Sequence, residues 1–239
     1  MKIHGLQKLT LLDYPEHLAA VLFTGSCNFR CPFCQNGSLV LDPSSEPVIP
    51  EADILAFLKK RIGILDGVCI TGGEPTLHSD LPRLIRQIKA LGYLIKLDTN
   101  GTNPAMVKYL SQEKLLDYVA MDIKASRQNY GNVSGCPQLS LAPVQETIDF
   151  LIHSGLEYEF RTTAVKGLHT LDDFEDIAEW LAGDSRYYIQ NYRSSDLILQ
   201  RLQGGSDTLA SFSTEEMQHF LRQVRKRLPN ACLRGVDET

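Results

Sequence analysis

The sequence predicts an α/β fold in which parallel strands are joined by outer helices. Three observations carry this expectation. Apolar runs of strand length alternate with amphipathic stretches of helix length about six times along the 239 residues. Crossovers of that kind bring successive strands together in parallel. Polar or glycine-containing segments follow one apolar run after another, at the strand ends where such folds gather their sites. A Rossmann-type open sheet and a full or partial barrel both fit the alternation.

The elements follow in order. The apolar stretch 18–23 (LAAVLF) reads as a buried strand, followed by a loop rich in glycine and cysteine. Residues 51–62 read as a helix opened by Pro50, with Ile54, Leu55, Leu58 and Ile62 on one face. Strand 67–71 (GVCIT), helix 80–91 stopped by Gly92 and strand 93–98 (YLIKLD) come next. Helix 104–113 leads to strand 118–123 (YVAMDI), and helix 143–154 to strand 156–165. Helix 171–182 precedes strand 186–190 (RYYIQ), and helix 214–228 precedes a short strand near 231–233. The stretches 125–140 and 192–212 read as loops over one face. No shift in composition marks a boundary, so one domain is expected: an N-terminal extension over 1–17, a core over 18–192, and a C-terminal helix and strand over 193–239.

A hydrophobic share of 43% and a charged share of 22% are those of a soluble globular protein. A net charge of −5 provides no basic field to gather phosphates, so nucleic acid is not expected as a partner. The cluster Arg222, Arg225, Lys226 and Arg227 reads as a solvated helix face. The N-terminus lacks the apolar core of a signal peptide, and no apolar run is long enough to span a bilayer. A cytoplasmic protein with no membrane partner is expected. Its six cysteines are then more suited to metal than to disulfides.

Three of those cysteines cluster as Cys27-Asn28-Phe29-Arg30-Cys31-Pro32-Phe33-Cys34, immediately after the first strand. Thiolates suit zinc or iron–sulfur clusters. A structural zinc needs four ligands, and the next candidates, Cys69 and His78, lie more than thirty residues away. Three thiolates on a four-iron cubane leave one iron open to a substrate. Later strands end in Gly72-Gly73-Glu74-Pro75, in Asp98-Thr99-Asn100-Gly101 and in Asp122-Ile123-Lys124, while the last two carry Arg161 and Gln190. Cys69, Cys136 and Cys232 read as small buried or incidental residues, and the six histidines as surface or packing residues. His78, just beyond the glycines, is the one to watch.

With these residues the chain resembles the radical S-adenosylmethionine superfamily, over essentially its whole length. The cysteine spacing, with an aromatic (Phe33) before the last cysteine, and the Gly72-Gly73-Glu74-Pro75 segment after the second strand carry the resemblance. It implies a partial (β/α)6 barrel, one [4Fe–4S] cluster on Cys27, Cys31 and Cys34, and S-adenosylmethionine chelating the open iron. It further implies an electron donor, flavodoxin or ferredoxin, and cleavage of the cofactor to a 5′-deoxyadenosyl radical. Phe33, Gly72, Gly73, Glu74, Asp98, Lys124, Arg161 and Gln190 are the matching cofactor positions. Gly72 and Gly73 are expected to let the backbone approach the cofactor amine, with Glu74 adding negative charge. Lys124 and Arg161 are expected to meet its carboxylate or hydroxyls, or else to pair with Asp122 or Glu159.

Within that superfamily the chain is most similar to glycyl radical enzyme activases, in particular the short anaerobic ribonucleoside-triphosphate reductase activating proteins. Leu12-Asp13-Tyr14-Pro15, Cys34-Gln35-Asn36 and the third- and fourth-strand motifs carry this likeness, with Gln35 in place of a usual histidine. It implies a glycyl radical enzyme as protein substrate, with Asp13 near the incoming glycyl loop, and a monovalent cation held by Asp98 and Asp122. A 7-carboxy-7-deazaguanine synthase fits less well, since that family favours tryptophan and an acidic residue where Phe33 and Gln35 stand. A ferredoxin-like electron carrier would use four cysteines and no glycine motif.

Overall fold

The computed structural model describes residues 1–181, 183, 185–205 and 208–236. Among these residues eight strands form one sheet in strict chain order: β1 (Ile3–Thr10), β2 (Ala19–Thr24), β3 (Gly67–Gly72), β4 (Leu94–Thr99), β5 (Tyr118–Asp122), β6 (Glu157–Ala164), β7 (Tyr187–Asn191) and β8 (Cys232–Arg234). From β2 to β8 every pairing is parallel. The parallel order with intervening helices is the partial barrel that the family resemblance implied.

The helices are α1 (Gly37–Leu41), α2 (Glu51–Lys59), α3 (Leu81–Lys89), α4 (Pro104–Gln112), α5 (Tyr130–Val133), α6 (Ala142–His153), α7 (Leu171–Trp180), α8 (Leu199–Leu202) and α9 (Thr214–Val224). Proline stands in the first turn of α3, α4 and α6, where its missing N–H has no partner to lose. Capping boxes open α7 (Thr170 with Asp173) and α9 (Ser213 with Glu216). Among the described residues no helix is long and apolar enough to cross a membrane.

Several boundaries differ from the sequence reading. Residues 1–17 contain β1, which runs antiparallel to β2 from Ile3 opposite Thr24 to Thr10 opposite Ala19. Helix α2 stops at Lys59, so Ile62 lies outside it and is exposed, while Ile54 and Leu58 are buried as expected. Helix α9 ends at Val224, short of 228. The expected end of α7 at Ala182 lies outside the described residues, as do 206–207 and 237–239 at the C-terminal side. The presumed loops over 125–140 and 192–212 contain the short helices α5 and α8.

Strand alternation divides the molecule into two environments. Ile95, Leu97, Val119, Met121 and Phe160 join one large apolar cluster with helix residues such as Ile54, Leu58, Ile85, Val107 and Ile148. The intervening residues of β4, β5 and β6 include Lys96, Asp98, Asp122, Glu159 and Arg161, so the inner face is charged. A second, small cluster of Tyr14, Ala19, Tyr118 and Ala120 sits at the N-terminal end of the strands.

Candidate active site

A single cavity of about 640 Å³ brings together Asp13, Cys27, Cys31, Phe33, Cys34, Gly72, Gly73, Glu74, Asp98, Asp122, Lys124, Arg161 and Gln190. These are all the site residues expected from the sequence. They come from six parallel strands and the loops behind them, with Asp13 from the segment after β1.

The cysteine loop is fixed by its neighbours. Cys34 N–H donates to Cys31 O at 3.0 Å, Arg30 N–H to Ser134 O at 2.8 Å, and Leu199 N–H to Cys34 O at 2.9 Å. The Arg30 guanidinium returns to the carbonyls of Cys27 and Phe29. Phe29 packs edge-on to Tyr130, and Phe33 edge-on to His169. Helices α5 and α8 therefore serve as buttresses for this loop, a role the sequence reading did not give them.

The glycine motif also has a structural cause that the sequence reading did not give. Gly72 has φ +111, and a Cβ there would meet Thr24 backbone atoms at 2.4 Å. At Gly73 it would meet Ser26 O at 1.9 Å. The missing side chains thus allow the end of β3 to lie against the chain leaving β2, which leads directly into Cys27. Gly73 N–H donates to Thr24 O and Glu74 N–H to Ser26 O, both at 2.8 Å. Glu74, 1% exposed, accepts from Thr76 N–H and hydroxyl, from the Thr99 hydroxyl and from Asn100 N–H. It is a bracket between the loops after β3 and β4. Burial pushes its carboxyl up, against the pull of these donors.

A chain of ion pairs crosses the inner face. Arg161 Nε donates to Asp122 Oδ1 at 3.0 Å, and its terminal nitrogens reach Asp98 Oδ2 at 3.3 Å. Lys124 Nζ donates to Asp122 Oδ2 at 3.0 Å. Lys96 Nζ donates to Asp98 Oδ1. Deeper still, Arg234 of β8 makes a bidentate pair with Glu159 at 2.8 and 2.7 Å and lies over the Tyr188 ring. Tyr118 also donates to Glu159. Burial opposes ionisation of Asp122, but Arg161 and Lys124 hold its carboxyl down at about 2. Burial likewise works against the charge of Lys124, which Asp122 and the neighbouring Cys31 more than restore.

Lys96, Glu159 and Arg234 were not among the expected site residues. The signal for Lys96 was present in YLIKLD, where Lys96 and Asp98 share one face of an otherwise apolar strand. Gln190 lines the cavity, and Gln35 donates to Arg193 O at 3.2 Å. His78 contacts Gly25 O at 2.9 Å, bracing the approach to the cysteines from outside the cavity. His169 is buried between Val165 N–H and Lys124 O, a packing position.

A family model described as the radical SAM superfamily matches residues 21–181. The chain belongs to that superfamily. As a radical SAM enzyme it uses a [4Fe–4S] cluster and S-adenosylmethionine, and the cavity fits both. Burial pushes the thiols of Cys27 and Cys31 up to about 11 and about 12, and raises that of Cys34. Buried thiols of this kind become thiolates when a metal centre binds the sulfur and their protons are released.

Two relatives from Methanocaldococcus jannaschii, both provisionally named glycyl-radical enzyme activating enzymes, are each 29% identical to this chain. One aligns over 99% of this chain and 97% of its own length, the other over 72% and 66%. Among solved structures, Streptococcus suis SuiB bound to the precursor peptide SuiA superposes with a TM-score of 0.67 at 15% identity. The match covers 90% of this chain and 48% of SuiB, and supports the fold.

Proposed function

We propose that this radical SAM enzyme is a glycyl radical enzyme activase, with an anaerobic ribonucleoside-triphosphate reductase as its protein substrate. The end-to-end match to a relative named as an activating enzyme carries the proposal, since it spans nearly the full length of both chains. In this reading Cys27, Cys31 and Cys34 hold the cluster, with Phe33 packed beside them. Gly72, Gly73, Lys124, Arg161 and Gln190 meet the cofactor, while Asp98 and Asp122 keep Arg161 and Lys124 in place. Bound there and reduced by a flavodoxin or ferredoxin, cluster and cofactor supply a 5′-deoxyadenosyl radical that removes hydrogen from a glycine.

The cavity suits a protein loop as the hydrogen donor. Thr10 pairs with Ala19 at the start of β2, so the segment after β1 borders the cavity from the N-terminal side of the parallel strands. Leu11 and Leu12 stand there 70% and 86% exposed, an apolar lip beside Asp13. One Asp13 oxygen accepts from the Thr10 hydroxyl at 2.5 Å, which orients the carboxylate without burying it. Asp13 can then accept from the N–H groups of an incoming glycyl backbone, and small errors in such positioning carry large rate penalties.

The test is EPR after anaerobic incubation of the reduced enzyme, S-adenosylmethionine and candidate glycyl radical proteins. A glycyl doublet on a ribonucleotide reductase is expected. Asp13→Ala should keep cluster content and slow cofactor cleavage without a partner, yet lose most of the doublet. Full radical yield from Asp13→Ala removes that residue from the site. Turnover of a small molecule, with no doublet on any partner, refutes the activase reading.

A further inference from the structure

Asp98 and Asp122 match positions at which relatives were expected to hold a monovalent cation, and here every carboxylate oxygen of the pair already accepts from a cationic side chain. Asp98 Oδ1 takes Lys96 Nζ, and Asp98 Oδ2 takes both terminal nitrogens of Arg161. Asp122 Oδ1 takes Arg161 Nε, and Asp122 Oδ2 takes Lys124 Nζ. Lys124 and Arg161 come from the strand ends that face the cofactor cavity, but Lys96 does not. Its side chain is 1% exposed, two residues before Asp98 on the same face of β4, with Cys69 Sγ 3.8 Å away. A lysine buried to that degree needs a fixed anionic partner, and Asp98 is that partner.

We propose that Lys96 supplies, from within the barrel, the positive charge that a bound alkali metal ion would otherwise place beside Asp98, so that cofactor binding is independent of potassium or sodium. An ammonium is a compact point charge with three donors, close in behaviour to such an ion. Charge balance points the same way. Lys96, Lys124, Arg161 and Arg234 pair with Asp98, Asp122 and Glu159. A further cation at Asp98 would stand beside both Lys96 and Arg161, in a place where like charges repel strongly. Lys96 is thus a positioning residue. It holds Asp98, Asp98 holds the guanidinium of Arg161, and Arg161 reaches the cofactor site, so the inference rests on that cavity binding S-adenosylmethionine.

The experiment compares potassium chloride with tetramethylammonium chloride at equal ionic strength, using the anaerobically reconstituted holoenzyme. Calorimetric affinity for S-adenosylmethionine and the melting temperature without it are both measured. Wild type should differ less than twofold in affinity between the salts. Lys96→Met leaves a buried carboxylate short of a partner, and in tetramethylammonium should bind the cofactor at least about tenfold more weakly. Potassium should restore much of that affinity and raise the melting temperature of the variant but not of wild type. A tenfold potassium dependence in wild type overturns the proposal, as does a folded Lys96→Met enzyme indifferent to potassium in both readouts. If Lys96→Met does not fold, the wild-type comparison still decides, and Lys96→Met with Asp98→Asn, which removes both charges, should show no potassium response. Melting is read without S-adenosylmethionine, so a cavity that bound none in any salt would overturn the site assignment and leave the Lys96 comparison standing.

Discussion

Gly73→Ala tests the glycine that seats the cysteine loop. The added Cβ would lie 1.9 Å from Ser26 O and 2.6 Å from Ser26 C, where real contacts begin near 3.0 Å. Both are backbone atoms, so no rotamer change relieves the overlap, and the two loops must separate by about 1 Å. Overpacking of this severity costs about 3 kcal/mol. For a chain of this size that lowers the melting temperature by about 6–12 °C. Ser26 immediately precedes Cys27, so the displacement enters the cluster loop, and 1 Å at a reacting centre is worth about 10²-fold in rate. Anaerobic 5′-deoxyadenosine release should therefore fall by about 100-fold. Gly92→Ala is the control. Its φ is +91 and a Cβ would have nothing within 4 Å, so it carries only backbone strain of about 1–2 kcal/mol. It should melt lower but cleave the cofactor normally. A Gly73→Ala enzyme with wild-type cleavage, or equal loss of cleavage in both variants, would refute this account of the glycine motif.

Three further outcomes follow from the site. Replacing Cys27, Cys31 or Cys34 with Ala should abolish the broad iron–sulfur absorbance, whereas Cys69→Ala, Cys136→Ala and Cys232→Ala should retain about four irons per chain; loss of the cluster in Cys69→Ala would favour a four-cysteine carrier site. Lys124→Ala or Arg161→Ala should keep the cluster but weaken calorimetric S-adenosylmethionine binding by about 10- to 100-fold, the worth of a charge-assisted hydrogen bond; unchanged affinity in both would leave these residues only their pairing with Asp98 and Asp122. Burial opposes ionisation of Glu159, but Arg234 and then Arg161 hold its carboxyl below the usual range, so its contribution is present above the unfolded value and lost as pH falls through the folded one. Glu159→Gln should therefore flatten the acid side of a melting-temperature profile below about pH 4.5, and an unaltered profile would place the acid sensitivity elsewhere.

The parallel strands and most of the site were legible because both follow simple periods. Apolar runs such as LAAVLF and YVAMDI announce strands buried on both sides, and the polar residues after them mark one end of the sheet. The first strand was not legible. In IHGLQKLT, Gln7, Lys8 and Leu9 are exposed on an edge with one neighbour, so the pattern carries no sustained burial signal. Helices α1, α5 and α8 have only four or five residues, too few to display a helical period. Lys96 escaped notice, and Glu159 entered only as a pairing partner, because a charged residue in a strand reads as solvent-facing, whereas here the inner face of the barrel is an ionic layer. The glycines were found in the right place, but their second role, against the chain leaving β2, was not legible. A sequence marks where a Cβ is absent, but only the chain leaving β2 shows which atoms needed the space.

The unbroken order of the sheet also bears on how the molecule is made. Each strand pairs with the one synthesised just before it, so no strand must wait for a distant partner, and loop-closure entropy stays modest at every step. The cysteine loop and its glycine seat belong to β2 and β3, which are synthesised before β8 and its Arg234. Until Arg234 reaches Glu159, that buried carboxylate lacks its bidentate partner, and the barrel interior is open to water from the side that β8 will cover. Native-state hydrogen exchange should record that history, with β8 opening first and β3 to β5 last.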